Sequence, residues 1–214
     1  MQRIVMFITI ATIFVGCKKE CTCETTHKVT FQPTQGNDVT ATFHEGNPAS
    51  ANGNGNSLPE LAIFAWTNGT YVEGKAFVSF NELSGIPSGS IITSAKLTLY
   101  GASSSGWCPL GNSGENNFKV QRVTSTWAQN TLTWNTAPAT TTNDQVSFTP
   151  AAGTWNIDAV ISVTDLVQKM VDENKPYGFC LTIGTKAPYR SIIFASSEVT
   201  DASKRPKLEV TYIH

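Results

Sequence analysis

Charged side chains are scarce in this chain, and neither sign dominates. Asp, Glu, Lys and Arg make up 14% of the residues, with 15 basic against 16 acidic side chains. A protein that binds nucleic acid shows a basic stripe or patch, and the basic residues here form no such run. The composition therefore argues against nucleic acid as a partner.

Motifs for catalysis are also lacking. The three histidines are scattered at His27, His44 and His214, and the sequence contains no phosphate-binding loop or Ser-His-Asp arrangement. Hydrolysis of a glycoside uses two carboxylates about 5 to 9.5 Å apart. Candidate acids exist, but none lies in a motif that implies pairing: Asp144, Asp158, Asp165, Glu198 and Asp201. We therefore predict no enzymatic activity, with a polysaccharide-cleaving enzyme as the weaker alternative.

The apolar stretch near the N-terminus is too short to span a bilayer, which takes about 20 helical residues. It covers residues 4–15 after Arg3, which is typical of a secretory signal. It ends at 14–17, Phe-Val-Gly-Cys, which resembles a bacterial lipobox with Phe14 in place of the usual leucine. We expect a signal peptide over 1–16, lipidation of Cys17 and a tether over 17–26. The alternative is a short membrane anchor with an incidental cysteine.

The residues after Cys17 indicate where the protein resides. Lys18, Lys19 and Glu20 resemble the charged start of lipoproteins exported to the surface of Bacteroidetes-type bacteria. Two or three acyl chains anchor stably, because each buried methylene contributes about 0.8 kcal/mol. We therefore expect a palmitoylated lipoprotein of the bacterial outer membrane at the cell surface, in contact with the membrane only through its lipid.

Cysteine is sparse, and the lipid would use one of the five residues. Cys21 and Cys23 lie in the tether, Cys108 in a Gly/Ser loop and Cys180 in an apolar strand. Exported proteins form disulfides, and four cysteines allow three pairings that sequence does not rank. Our preferred expectation is that Cys180 is a buried free thiol.

Threonine, serine, asparagine and glycine are abundant, as in an extracellular β protein. Short apolar stretches, several with clear alternation, predict strands separated by turns, which together suggest a sandwich. The predicted strands are 29–31, 39–43, 61–66, 77–83, 92–100, 118–123, 146–148, 154–157, 177–183, 191–195 and 208–213. From Val163 to Val171 the apolar spacing is helical instead, with Thr164 as N-cap and Asn174 as the end. We expect one short helix across an end of the sandwich.

Several different short motifs follow one another along the chain. Trp127 and Trp134 lie in the threonine-rich run 124–135, which is followed by Pro138; the other motifs are 86–100, 163–167 and 205–208. This pattern, over roughly 38–212, resembles the DNRLRE family of disaggregatase-related domains, part of which is classed as carbohydrate-binding modules with alginate-binding members. The resemblance implies an all-β, jelly-roll-like antiparallel β-sandwich over 27–214 on the cell envelope, facing polysaccharide. It assigns Trp127 and Trp134 to the shared framework, where they seal the core.

Sugar binding uses aromatic rings that stack on pyranose faces and polar groups that bond hydroxyls. Aromatic residues in or beside Gly, Asn, Ser or Pro loops are the candidates: Trp66, Tyr71, Trp107 and Tyr189. Lys186 and Arg190 suit an acidic sugar such as a uronate, because arginine pairs bidentately with carboxylates. We see no cluster of basic residues, and Lys75 is the only other basic residue in a plausible strand-face position. Trp155, in the predicted strand 154–157, is expected in the core.

A structural calcium ion is a further possibility, since calcium takes six to eight oxygen ligands. Asp38, Glu45 and Asn54, within the Asn/Gly run 52–56, offer such oxygens. The alternative is an ordinary solvated loop.

The sequence thus predicts a surface-anchored, non-catalytic polysaccharide-binding lipoprotein. The alternative is a structural or adhesive envelope protein that binds protein partners or matrix. An exposed line of aromatic residues would favour the first function, and a broad apolar patch the second.

Overall fold

The computed structural model describes residues 24–33, 36–102 and 114–214. The predicted signal peptide, the lipidated Cys17 and most of the tether lie outside the described residues, as do Cys21, Cys23, Trp107 and Cys108. No helix of the described part has the length and apolarity needed to cross a membrane.

The regular elements of the described residues are β-strands, one α-helix and short 3-10 helices. The strands are β1 Thr26–Phe31, β2 Asp38–His44, β3 Glu60–Asn68, β4 Thr70–Val78, β5 Ile91–Leu99, β6 Phe118–Val123, β7 Thr140–Phe148, β8 Ala159–Ser162, β9 Phe179–Ile183, β10 Arg190–Ala195 and β11 Lys207–Ile213; the helix is α1 Thr164–Asp172. The predicted all-β class with one short helix is confirmed.

Two predicted strands are wrong for local reasons. The strand expected over 77–83 stops at Val78, and Asn81–Gly85 form a 3-10 helix, because Phe80 and Leu83 have the three-residue spacing of a helical turn. The residues expected as a strand over 154–157 are irregular and follow a turn, which a hydrogen bond from Thr154 N to Ala151 O closes after Gly153 at φ 76°.

Two sheets pack face to face, and all their strand pairs are antiparallel. The first sheet has the order β1-β11-β5-β8, and the second has the order β10-β3-β4-β9-β6-β7, with β2 also paired to β4. Alternate side chains of both sheets meet in the main core, as the periodicity of half-buried strands requires. Fully buried members from the two sheets include Leu97 and Leu208 on one side and Leu61, Phe118 and Phe179 on the other.

Strand β4 changes its partner halfway along its length. Its first half pairs with β3, with Phe64 opposite Gly74, and its second half pairs with β9 from Lys75 onward. A Cβ atom on Gly74 would lie 2.2 Å from the Phe64 ring, so only glycine allows this close approach. The exchange brings β9 and then β6 alongside the half of β4 that carries Lys75.

The helix covers part of the core as predicted, with Leu166, Val167, Met170 and Val171 buried. Asn174, at φ 51°, follows the last turn and ends the helix in the left-handed conformation that such ends favour. The predicted N-cap is wrong: Val163 occupies that position, and the Thr164 hydroxyl instead accepts a hydrogen bond from Ala95 N.

Candidate functional site

A row of paired residues crosses the outer face of the second sheet. Lys75 in β4 pairs with Thr182 in β9, which pairs with Lys119 in β6. Directly opposed residues point to the same face, and neighbouring strands lie about 4.8 Å apart, so the two lysine Cα atoms are about 10 Å apart. The next residues along the strands, among them Ala76 and Leu181, are buried in the main core, so this row faces away from it.

This row forms the floor of a groove of about 380 Å³, which we call the lysine groove. That volume lies within the range of small-molecule sites, about 300 to 1,000 Å³. The other lining residues lie elsewhere on β4, β6 and β9, at the start of β7, in the segment between β6 and β7, and in the loop between β9 and β10. The polar and aromatic lining residues are Glu73, Lys75, Lys119, Gln121, Trp134, Thr140, Thr182 and Lys186.

Lys75 lies against an indole ring. Its Nζ is 4.2 Å from the centroid of the Trp134 ring and 5.8 Å from that of Phe77, which is cation–π geometry. Burial lowers the pKa of Lys75 from its usual value, while the Glu73 carboxylate opposes the shift. Neither Lys75 nor Lys119 forms an ion pair with any residue that the structure describes.

The third lysine is held at the rim by a buried carboxylate. Lys186 Nζ lies 2.7 Å from Glu73 Oε1 and 3.0 Å from Oε2, and the Tyr71 hydroxyl donates to Oε2 at 3.0 Å. Burial and then the Glu73 charge raise the pKa of Tyr71, so the phenol stays protonated as a donor. Two residues predicted for sugar binding, Tyr71 and Lys186, therefore meet beside the groove.

Cys180 contributes to the groove lining as a buried residue, 2% exposed. It is a free thiol, as predicted. Burial raises its pKa to about 12, against the opposing charge of Lys75. Since the thiolate is the reactive form, this side chain provides no nucleophile at neutral pH.

The other predicted sugar-binding residues lie elsewhere. The rings of Trp66 and Tyr189 meet edge to face with centroids 5.1 Å apart, and Tyr189 is 48% exposed at φ 64°. Trp66 borders a separate hollow of about 270 Å³ with His44 and Asn68. Arg190 turns back on its own loop and donates to the carbonyl oxygens of Pro188 and Tyr189. The described members of the predicted set are thus divided between two places, and Trp107 lies outside the described residues.

The tryptophans predicted for the core differ in their surroundings. Trp127, Trp134 and Trp155 all pack against buried clusters, yet each is only half-buried. Trp127 Nε1 donates to Tyr177 O at 2.7 Å, whereas Trp134 lines the lysine groove. Sequence reasoning missed Trp134 and the cluster of lysines as a site. The available signal was the alternation of Lys119 and Gln121 with buried residues in β6.

The residues predicted to hold calcium do not converge on one ion. Asp38 and Glu45 are seven residues apart along β2 and its end, or about 23 Å at 3.3 Å per residue. Asp38 accepts hydrogen bonds from Ser197 N and Oγ, and Glu45 from Tyr71 N. Asn54 donates to main-chain carbonyls of 129 and 132. In the part of the chain that is described, no three His, Cys, Asp or Glu side chains are grouped to hold a metal. Calcium binding stays a prediction.

Several acids considered for catalysis have structural contacts. Asp158 Oδ1 accepts from Gly101 N at 2.9 Å, Asp201 Oδ1 accepts from Ser203 N at 3.0 Å, and Glu198 Oε1 accepts from Gln129 Nε2 at 3.2 Å. Each carboxylate satisfies a nearby donor in a turn or loop.

One comparison with known proteins identifies a family for this architecture. The model of carbohydrate-binding module family 96 matches residues 29–212, which includes every strand from β2 to β10, half of β1 and most of β11. No curated protein matches the chain. The predicted carbohydrate-binding module is confirmed, and the sugar is left open.

Proposed function

The chain belongs to carbohydrate-binding module family 96, and on that premise we propose a surface-anchored, non-catalytic lipoprotein that binds acidic polysaccharide in the lysine groove. The polymer we expect carries carboxylates, as uronates do. The family supports carbohydrate binding, and the side chains of the groove support the acidic class.

The observation that carries the proposal is that two lysines on the groove floor have no ion-pair partner among the described residues. Lys75 and Lys119 flank Thr182, and their Cα spacing of about 10 Å suits successive negative charges on an extended polymer. Lys186 adds a third cation at the rim, partly offset by Glu73. The described lining has three lysines and one carboxylate, and such a net positive charge attracts an oppositely charged ligand and speeds association.

Trp134 orients one of these cations. Its ring lies under the Lys75 ammonium, and such a contact contributes about 0.5 to 2 kcal/mol, more where water is excluded. The indole therefore limits the positions of a long flexible side chain before the ligand arrives. Preorganisation of this kind improves affinity because less side-chain freedom is lost on binding.

The groove chemistry supports binding without hydrolysis. Glu73 is the sole carboxylate among its described lining residues, and both of its oxygens are engaged by Lys186 and Tyr71. Glycoside hydrolysis in most families uses two carboxylates on either side of the scissile bond. The adhesive alternative gains no comparable support, because the exposed large apolar residues Ile91, Val160 and Tyr189 lie on separate strands and loops.

The test is affinity electrophoresis of the purified protein through alginate, pectin and neutral polysaccharides, with calcium or with a chelator. The key variant is Lys75→Gln/Lys119→Gln, which should weaken binding of an acidic polymer about tenfold or more, or about 1.4 kcal/mol. The matched control is Lys28→Gln/Lys96→Gln, which removes two exposed lysines from the first sheet and should bind normally. Equal loss in both variants, or no retardation by any acidic polymer, would reject the proposal.

A further inference from the structure

Two further depressions lie on either side of Trp127, away from the lysine groove. Their volumes are about 420 and 350 Å³, and both are lined by Ser79, Asn81 and Trp127. The first extends along Asn37 and residues 128–130, and the second along Thr126, Pro176 and Tyr177. We call them together the Trp127 hollows.

Uncharged groups line the Trp127 hollows. The described residues that line them carry amides, hydroxyls and aromatic rings or are alanine, glycine and proline, and none of these described residues is Asp, Glu, Lys, Arg or His. The lysine groove, by contrast, has four charged lining residues. An acidic sugar would find no charged partner among these described lining residues. The chemistry of the hollows therefore suits a neutral ligand rich in hydroxyl groups.

Two asparagines fix a donor and an acceptor side by side. Asn81 Nδ2 donates to Asn37 Oδ1 at 3.0 Å. Each amide has one carbonyl oxygen and one NH₂ group, so the bond leaves the Asn81 oxygen and the Asn37 NH₂ group to serve a ligand. Adjacent hydroxyls of a sugar ring can donate to the first and accept from the second.

Trp127 provides a rigid aromatic surface beside this amide pair. Its Nε1–H is held by Tyr177 O at 2.7 Å, and its ring packs on Phe77 with centroids 5.9 Å apart. The residue is nevertheless only half-buried, so part of the indole borders both hollows. An aromatic surface with a few fixed polar groups is the usual composition of a small-ligand site.

We propose that the Trp127 hollows form a second carbohydrate site, which binds a neutral sugar residue through adjacent hydroxyls. The Asn37–Asn81 pair would bond the hydroxyls, and the indole would contact the apolar face of the ring. This site is separate from the lysine groove and does not require an acidic sugar. It extends the proposed function to polymers that contain neutral units.

The experiment follows the indole N–H signals of the purified ¹⁵N-labelled chain, which has five tryptophans, during titration with oligosaccharides. Trp127→Phe and Trp134→Phe assign the two signals of interest. The probes are gluco-, manno- and xylo-oligosaccharides as neutral ligands and oligouronates as acidic ligands. We expect at least one neutral oligosaccharide to shift the Trp127 signal and leave that of Trp134 in place.

Variants separate the two sites. Asn37→Ala/Asn81→Ala should weaken the neutral ligand about tenfold or more, while Asn143→Ala, an exposed control in β7, and Lys75→Gln/Lys119→Gln should not. An unchanged Trp134 signal verifies that the asparagine variant is folded. The proposal is overturned if no neutral oligosaccharide moves the Trp127 signal, if the asparagine variant binds normally, or if the lysine variant loses the neutral ligand equally. If a neutral oligosaccharide binds and the oligouronates do not, the result counts against the lysine groove and not against the Trp127 hollows.

Discussion

Asp38 is a buried acid that makes stability depend on pH. It is 1% exposed and accepts hydrogen bonds from Ser197 N at 2.7 Å and Ser197 Oγ at 3.0 Å. Burial raises its pKa from the usual 3.8 to about 7, although the two hydrogen bonds oppose the shift. Between these two values the folded chain keeps a proton that the unfolded chain has lost. The contribution of Asp38 to stability is therefore fully present below about pH 4 and is lost as the pH rises through 7.

We predict that Asp38→Asn reduces this pH dependence. Asparagine keeps the size and an oxygen for the Ser197 N–H group, but it has no charge to desolvate. Because one unit of pKa shift corresponds to about 1.36 kcal/mol, the wild type should lose up to a few kcal/mol more than the variant between pH 4.5 and 7.5. Urea unfolding of both proteins at the two pH values measures the difference. Parallel pH profiles would show that the Asp38 carboxylate is ionised without cost.

At the scale of elements, the segment between β6 and β7 determines the shape of both proposed sites. It carries Trp127 and Trp134 across the outer face of the second sheet, where they pack on Phe77 and Phe43 respectively. Asn54 holds it in place, with its Nδ2 donating to the carbonyl oxygens of Gln129 at 2.7 Å and Leu132 at 2.5 Å. The Asn/Gly run, predicted as a calcium loop or a solvated loop, thus supports the aromatic segment.

We predict that Asn54→Ala destabilises the fold and weakens both sites. The substitution leaves two main-chain carbonyls without their amide donor, and each lost hydrogen bond costs about 1 kcal/mol. The expected loss is therefore about 1 to 3 kcal/mol in the free energy of unfolding, with faster hydrogen exchange in residues 129–134. Asn143→Ala, an exposed asparagine in β7, serves as the control. Unchanged stability and exchange would mean that the apolar contacts of the tryptophans alone hold the segment.

Elements with a strong periodic signal were predictable from the sequence, whereas the strands expected over 77–83 and 154–157 were not. The alternation in β5 and the helical spacing from Leu166 to Val171 both recur in the structure. The lysine groove was not predictable in this way, because Lys75, Lys119 and Lys186 come from distant parts of the chain. They meet only through the order β4-β9-β6 and its register. The family resemblance likewise implied that Trp134 seals the core, whereas the residue is half-buried against Lys75 at the edge of a groove.

For the whole molecule, the two sheets separate the proposed anchor from the proposed sites. Strand β1 follows the predicted tether and lies at the edge of the first sheet, while the lysine groove lies on the outer face of the second. From a lipid on Cys17, the nine residues to Thr26 reach at most about 30 Å. An anchored domain would therefore stay close to the membrane, with many copies able to contact one long polymer.

This arrangement predicts that lipidation strengthens binding to long polymers without changing the groove. Copies on one membrane convert later contacts into local events, and such linkage raises overall affinity by about 10²- to 10⁴-fold. Cys17→Ala should abolish palmitate labelling and release the protein from the membrane fraction. Purified variant and wild type should bind a short acidic oligosaccharide equally, whereas vesicles carrying the wild type should retain a long acidic polymer far more strongly than the variant in solution. Membrane association that persists in Cys17→Ala would favour a short apolar anchor over the lipid. Equal retention of the long polymer would mean that each polymer chain engages a single copy.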